Sequence, residues 1–152
     1  MQGGAGDSGS PRTYVKDIIT PEEAAQLAQC DGKVPLNLLP VRKVIGCIRT
    51  LYPAAVTMDS YARVERNVTG HDWHVDTGDS DHMPWCAASA SVLVSKPEEF
   101  EGGAFEFDEP YEEHAAHFCD GIIYTSDQVH RVLPHTGNRK VLLIFLGANN
   151  GK

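Results

Sequence analysis

From Pro53 onward the chain is a succession of short β-branched and aromatic runs: VTMDSYARVE, CAASASVLVS, GAFEF, GIIYTS, VHRVL and VLLIFL. Gly, Pro, Asp and Asn cut them apart. Strand-length runs with that punctuation pair with one another rather than alternating with helices, which restricts this part of the chain to a β-sandwich or barrel.

Helical signals lie upstream. Thr20-Pro21-Glu22-Glu23 combines an N-cap, a proline at the first helical position and a glutamate three residues after the cap. The spacing predicts a helix to about Cys30, stopped by Asp31-Gly32. Over residues 36–51, Val41, Val44, Ile45, Ile48 and Leu51 recur at helical spacing, with Arg42, Lys43 and Arg49 as the solvated face and Gly46 as an interruption. Residues 13–19 read as a short strand, and the Gly- and Ser-rich residues 1–12 as a disordered tail. The expected architecture is mainly β with supporting N-terminal helices, a double-stranded β-helix (jelly roll, cupin-like). It forms one domain over 13–152, with helical support over 13–52 and a barrel core over 54–148.

A chain of 152 residues can bury a core without disulfides. Cys30, Cys47, Cys86 and Cys119 are widely spaced and form no Cys-x-x-Cys pair, so reduced thiols in a cytoplasmic setting are expected. No run approaches the length of a membrane span, and the first thirty residues lack the pattern of a signal peptide. The formal net charge of -8, with no basic stripe, argues against nucleic acid as the partner.

The chemistry concentrates at His74-Val75-Asp76. On a strand, residues two apart share a face, so this imidazole and this carboxylate converge on one point while Val75 faces away. His130 offers a third ligand. Two histidines and one carboxylate on one side of a metal form the facial triad of non-haem Fe(II) oxygenases, which leaves positions open for substrate and oxygen. Other histidines compete: His71, His82, His114, His117 and His135. On a strand His71, three before His74, faces the opposite side and is a poor co-ligand, and His135, following Pro134, suits a turn. Arg139 stands at the start of the apolar run VLLIFL, where an unpaired charge is costly. A dicarboxylic acid would justify it through a two-pronged, charge-assisted pair. The bland alternative is a salt bridge to Glu106 or Asp108.

In order along the chain stand Tyr61 opening a strand, His74-Val75-Asp76, Gly102-Gly103 in FEGGAFEF, the turn Cys119-Asp120-Gly121 leading into IIYTSDQVHRV, and Gly137-Asn138-Arg139. Over residues 13–147 this set resembles the Fe(II)/2-oxoglutarate-dependent dioxygenases, within them the prolyl hydroxylase-like branch. The resemblance implies Fe(II) held by His74, Asp76 and His130, with 2-oxoglutarate as cosubstrate, O2 as oxidant and ascorbate as a reductant. It implies Arg139 as the 2-oxoglutarate anchor, with Tyr61, Tyr124 and Thr125 lining the same pocket. His74 follows Tyr61 by thirteen positions, a longer spacing than close relatives carry. The connection over residues 77–85 would act as a lid, so that Trp73, Asp79, His82 and Trp85 would face the substrate. The implied reaction is hydroxylation of an unactivated C–H bond with release of succinate and CO2. The implied substrate is a prolyl residue in a peptide or protein, and the implied enzyme a monomer away from membranes.

Several alternatives stay open. The substrate could be a free amino acid or another small molecule. A nucleic-acid oxidative demethylase would carry a basic ending, whereas after His130 only Arg131, Arg139, Lys140 and the terminal Lys152 are basic. A non-catalytic β-barrel binding module needs no metal ligands, and a zinc hydrolase on a cupin-like barrel would not need Arg139. For both tryptophans, burial in the core is the bland alternative.

Overall fold

The computed structural model describes residues 11–76 and 85–148. Strand β1 (Arg12–Val15) precedes helix α1 (Pro21–Ala28), and the short β2 (Gly32–Lys33) precedes helix α2 (Leu39–Leu51). The remaining strands are β3 (Ala55–Glu65), β4 (His71–His74), β5 (Cys86–Leu93), β6 (Phe100–Gly102), β7 (Phe105–Phe107), β8 (Glu112–His114), β9 (Gly121–Thr125), β10 (His130–Val132), β11 (His135–Gly137) and β12 (Val141–Ala148).

Local chemistry sets the helix starts. The Thr20 hydroxyl accepts from the Glu23 amide at 3.1 Å and the Glu23 carboxylate accepts from the Thr20 amide at 2.9 Å, a complete capping box. In α2, Pro40 sits in the first turn, where its missing N–H costs nothing. Arg12, expected to lie in the tail, belongs to the fold instead. Arg12 opens β1, donates to Gln128, Glu112 and the carbonyls of Asp108 and Pro110, and lies 4.3 Å from the Phe107 ring centroid. A five-donor guanidinium with that many acceptors in reach orders the backbone that carries it.

Two antiparallel sheets carry the fold, the larger in the order β1-β9-β5-β12-β3-β2 and the smaller in the order β4-β10-β7-β8. A separate pair, β11 with β6, closes one end. This is the double-stranded β-helix, mainly β with two supporting helices. Strand alternation divides the larger sheet's residues between two faces. Ala62, Val64, Ala88, Ala90, Val92, Leu142, Ile144 and Leu146 form one continuous core with Val41, Val44, Ile45 and Ile48 of α2. The alanines let the helix lie close. On the other face, Ile122 and Tyr124 of β9 meet Phe105 and Phe107 of the smaller sheet, with Tyr14 and Val132 alongside.

Ile48 is fully buried in the helix–sheet core. Truncation to alanine there leaves a cavity as well as losing apolar burial, so Ile48→Ala is expected to cost about 2–5 kcal/mol by urea unfolding. A loss under about 1 kcal/mol would show that α2 is not packed as described.

Candidate metal centre and its cavity

Pairing of β4 with β10 sets His74 directly opposite His130. Two residues beyond His74, the Asp76 amide donates to the Ser126 carbonyl at 3.0 Å, which anchors the chain as it leaves the strand. The ligand atoms of His74, Asp76 and His130 all lie within 4.8 Å of one another. This is the triad expected from the His-x-Asp spacing.

Hydrogen bonds orient both rings. His74 Nδ1 lies 2.6 Å from the Asp72 carbonyl and His130 Nδ1 2.8 Å from the Gln128 carbonyl. A carbonyl only accepts, so Nδ1 carries the proton in each ring and Nε2 is left to act as a ligand. The two Nε2 atoms stand 3.5 Å and 3.4 Å from Asp76 Oδ1. Three electron-rich atoms converging on one point require a cation among them, or a proton in its place. Burial alone would raise the Asp76 carboxyl, but the contacts from His130 and His74, with Ser89 beside them, outweigh it and hold the group well below the usual carboxylate range. Two nitrogens and a carboxylate oxygen suit Fe(II). Asp76 and His130 are buried, whereas the His74 side chain is 36% exposed, so the open side of the cluster faces outward.

Tyr124 reaches into the cluster itself. Its hydroxyl donates to Asp76 Oδ2 at 2.9 Å and lies 3.4 Å from His130 Nε2. It braces the Asp76 carboxylate, and the side chain also lines the cavity next to the cluster. Burial, then the Asp76 charge, pushes its phenol well above the ordinary value, so it stays a donor. Thr125, one residue on, faces away from the cavity, and its hydroxyl donates to Asp127 at 2.7 Å. Strand alternation explains why both could not point inward.

The cluster opens into a cavity of about 640 Å³ that also holds Arg139, Tyr61 and Trp85. Arg139 is buried, and among the described residues no hydrogen bond or ion pair reaches it. The suggested salt bridge is absent, because Glu106 pairs with Arg131 at 2.6 Å. Burial pushes the guanidinium down to about 10, partly offset by the charge of Glu65. Gly103 makes room for it. At φ +80° the glycine is in the left-handed region, and a Cβ there would overlap Arg139 Cδ and Nε. Tyr61 stacks on Phe145 with ring centroids 6.2 Å apart.

The remaining expectations divide. Trp73 is exposed on the outside of the smaller sheet, with the Arg131 guanidinium 4.4 Å from its ring centroid, so it is neither core nor cavity wall. Asp79 and His82 lie outside the described residues. His135 opens β11 instead of a turn, and burial, with Arg139 and Arg66 nearby, pushes its imidazole down. His71 was expected to face away from His74, yet it lines the same cavity, with ring centroids 5.7 Å apart. The register shifts between His130 and Val132, which pair with His74 and His71, so three steps along β4 match two along β10. That bulge turns both rings to one side. Arg63 and Glu65 also line the cavity and were not anticipated. Their signal was present in YARVE, where Tyr61, Arg63 and Glu65 alternate with the buried Ala62 and Val64.

A curated PKHD-type hydroxylase of Acidovorax ebreus (strain TPSY) is 34% identical to this chain over 154 residues, covering 93% of the chain. The chain spans 64% of that relative's length. Among solved structures, the viral collagen prolyl hydroxylase of Paramecium bursaria Chlorella virus-1 superposes with a TM-score of 0.70 at 13% identity, covering 95% of this chain and 99% of its own. The chain shares the fold of that prolyl hydroxylase. A Pseudomonas putida prolyl-4-hydroxylase shares this prolyl hydroxylase-like fold at a TM-score of 0.66 and 11% identity, covering 93% and 94% of the two chains. So does a Trichoplax adhaerens prolyl hydroxylase in complex with a hypoxia-inducible factor oxygen degradation domain peptide fragment, at 0.66 and 9% identity over 92% and 84%. No protein-family model matches the chain.

Two substitutions separate the two ends of the cavity. Tyr124→Phe removes the donor to Asp76 while keeping the ring, and should weaken metal binding by roughly 10–100-fold in a chelator competition titration. Gly103→Ala should instead displace the Arg139 side chain, with metal affinity unchanged in the same titration. An equal loss of metal affinity in both variants would contradict this division.

Proposed function

We propose that the chain is an Fe(II)- and 2-oxoglutarate-dependent dioxygenase that hydroxylates a prolyl residue in a peptide or protein. The single observation that carries this reading is the opening of the His74–Asp76–His130 cluster into the same cavity as a buried Arg139 that pairs with none of the described residues. A zinc hydrolase would use the cluster and leave the arginine without purpose.

Each residue then has a definite task. His74, Asp76 and His130 would hold the metal through Nε2, a carboxylate oxygen and Nε2, with the Asp72 and Gln128 carbonyls fixing the tautomers and Tyr124 fixing the carboxylate. Arg139 would receive the distal carboxylate of 2-oxoglutarate in a two-pronged pair. Phe105, Val141, Leu143 and Phe145 line the space between and keep it dry. When bound, iron and 2-oxoglutarate would together supply the oxidising power to place one atom of O2 in a substrate C–H bond, with succinate, carrying the other atom, and CO2 as the products of the keto acid. No protein nucleophile is needed.

Support for a prolyl substrate comes from the relatives. The neighbours are named prolyl hydroxylases, and one of them holds a peptide fragment. Trp85 at the cavity wall offers a flat apolar surface to such a ring.

Incubation with Fe(II), 2-oxoglutarate and a proline-containing peptide should add one oxygen atom to the peptide, by mass spectrometry, with matching formation of succinate. His130→Ala should abolish both products. Arg139→Ala should retain metal but lose about 2–3 kcal/mol of 2-oxoglutarate binding, as expected when a buried charge loses its partner. Unchanged 2-oxoglutarate affinity in Arg139→Ala would overturn the anchor assignment. Succinate without peptide oxidation across proline-containing peptides would overturn the prolyl substrate.

A further inference from the structure

The cavity contains an internal competitor for its own anchor. Glu65 ends β3 opposite Val141, and Arg139 stands two residues before Val141, so carboxylate and guanidinium project into one space, one from the end of β3 and the other from the segment leading into β12. Glu65 is the opposite charge that Arg139 senses, yet no ion pair forms between them. An intramolecular carboxylate has an effective concentration in the millimolar range or above, so on proximity alone it would compete with a free dicarboxylic acid for the same guanidinium.

Glu65 is engaged elsewhere. Its Oε2 lies 2.7 Å from His71 Nε2, and its Oε1 3.7 Å from Arg63 Nε. The His71 contact bridges the two sheets, from β3 to β4, and is available only because the bulge opposite β10 turns His71 into the cavity. The hydrogen bond from His71 is also the main influence holding the Glu65 carboxyl below its ordinary range.

We propose that His71 is a positioning residue: it holds Glu65 off Arg139 and so keeps the buried guanidinium free for a ligand carboxylate. The proposal rests on Arg139 being the 2-oxoglutarate anchor, and it gives the β4 bulge a purpose beyond aligning the metal ligands. Without His71, Glu65 is free to close on Arg139, and the fraction of protein with an open anchor sets the apparent affinity. Arg63 retains part of its hold, so the loss is partial.

The test is calorimetric titration of 2-oxoglutarate into the anaerobic Fe(II)-loaded protein. His71→Ala should raise the apparent Kd about tenfold, the consequence of leaving the anchor open about one-tenth of the time. His71→Gln, whose amide can still donate to Glu65, should stay near wild type. The double variant His71→Ala/Glu65→Gln should bind as tightly as Glu65→Gln alone, because the competitor is gone. An unchanged Kd in His71→Ala would overturn the proposal. So would a loss that persists in the double variant, since His71 would then act on the ligand or the fold directly. If wild type itself binds no 2-oxoglutarate, the anchor reading fails first, and this inference falls with it.

Discussion

The pairing of two short strands, β4 and β10, is the constraint on which the candidate site depends. It places His74 across from His130 with ring centroids 4.2 Å apart. Asp76, tied by its backbone to Ser126, comes within reach of both. None of these strands is long enough to be stable alone. They hold because β10 is also paired with β7, which brings Phe105 and Phe107 against Tyr124 of the opposite sheet. The His74–Asp76–His130 cluster is therefore positioned by an aromatic core between the sheets, and Tyr124 belongs to both the core and the candidate site.

The larger sheet separates stability from chemistry by alternation. Its outer face is aliphatic and sealed by α2, so the inner face can carry polar and charged groups at some cost. Arg139 shows how that cost is contained. Desolvation disfavours the cation, and the Glu65 charge, which forms no ion pair with it, offsets that cost only in part. Gly103 gives it space, and the small second cavity beside Phe100 and Ala104 continues on its far side.

Much of this was legible in the chain. The capping box, the alternation across His74 and Asp76, and the anomaly of Arg139 before VLLIFL each follow from one local rule. Where the sequence misled, a longer-range constraint had intervened. His71 obeys the period-two rule only on a regular strand, and the bulge breaks it. Tyr124 carries no mark of whether its hydroxyl will reach a cosubstrate or a ligand carboxylate; that is decided by the distance between β9 and the end of β4. Arg12 reads as tail because its four acceptors lie about a hundred residues away. The charges of YARVE were visible but, without the pairing of β3 with β12, had no direction.

The central claim, a metal and a keto acid held side by side in one cavity, is tested most directly by anaerobic absorption titration of the Fe(II)-loaded protein with 2-oxoglutarate. The account predicts a weak visible charge-transfer band that grows to saturation and is missing from His130→Ala. Saturable 2-oxoglutarate binding with no such band, or iron binding that survives loss of His130, would contradict it.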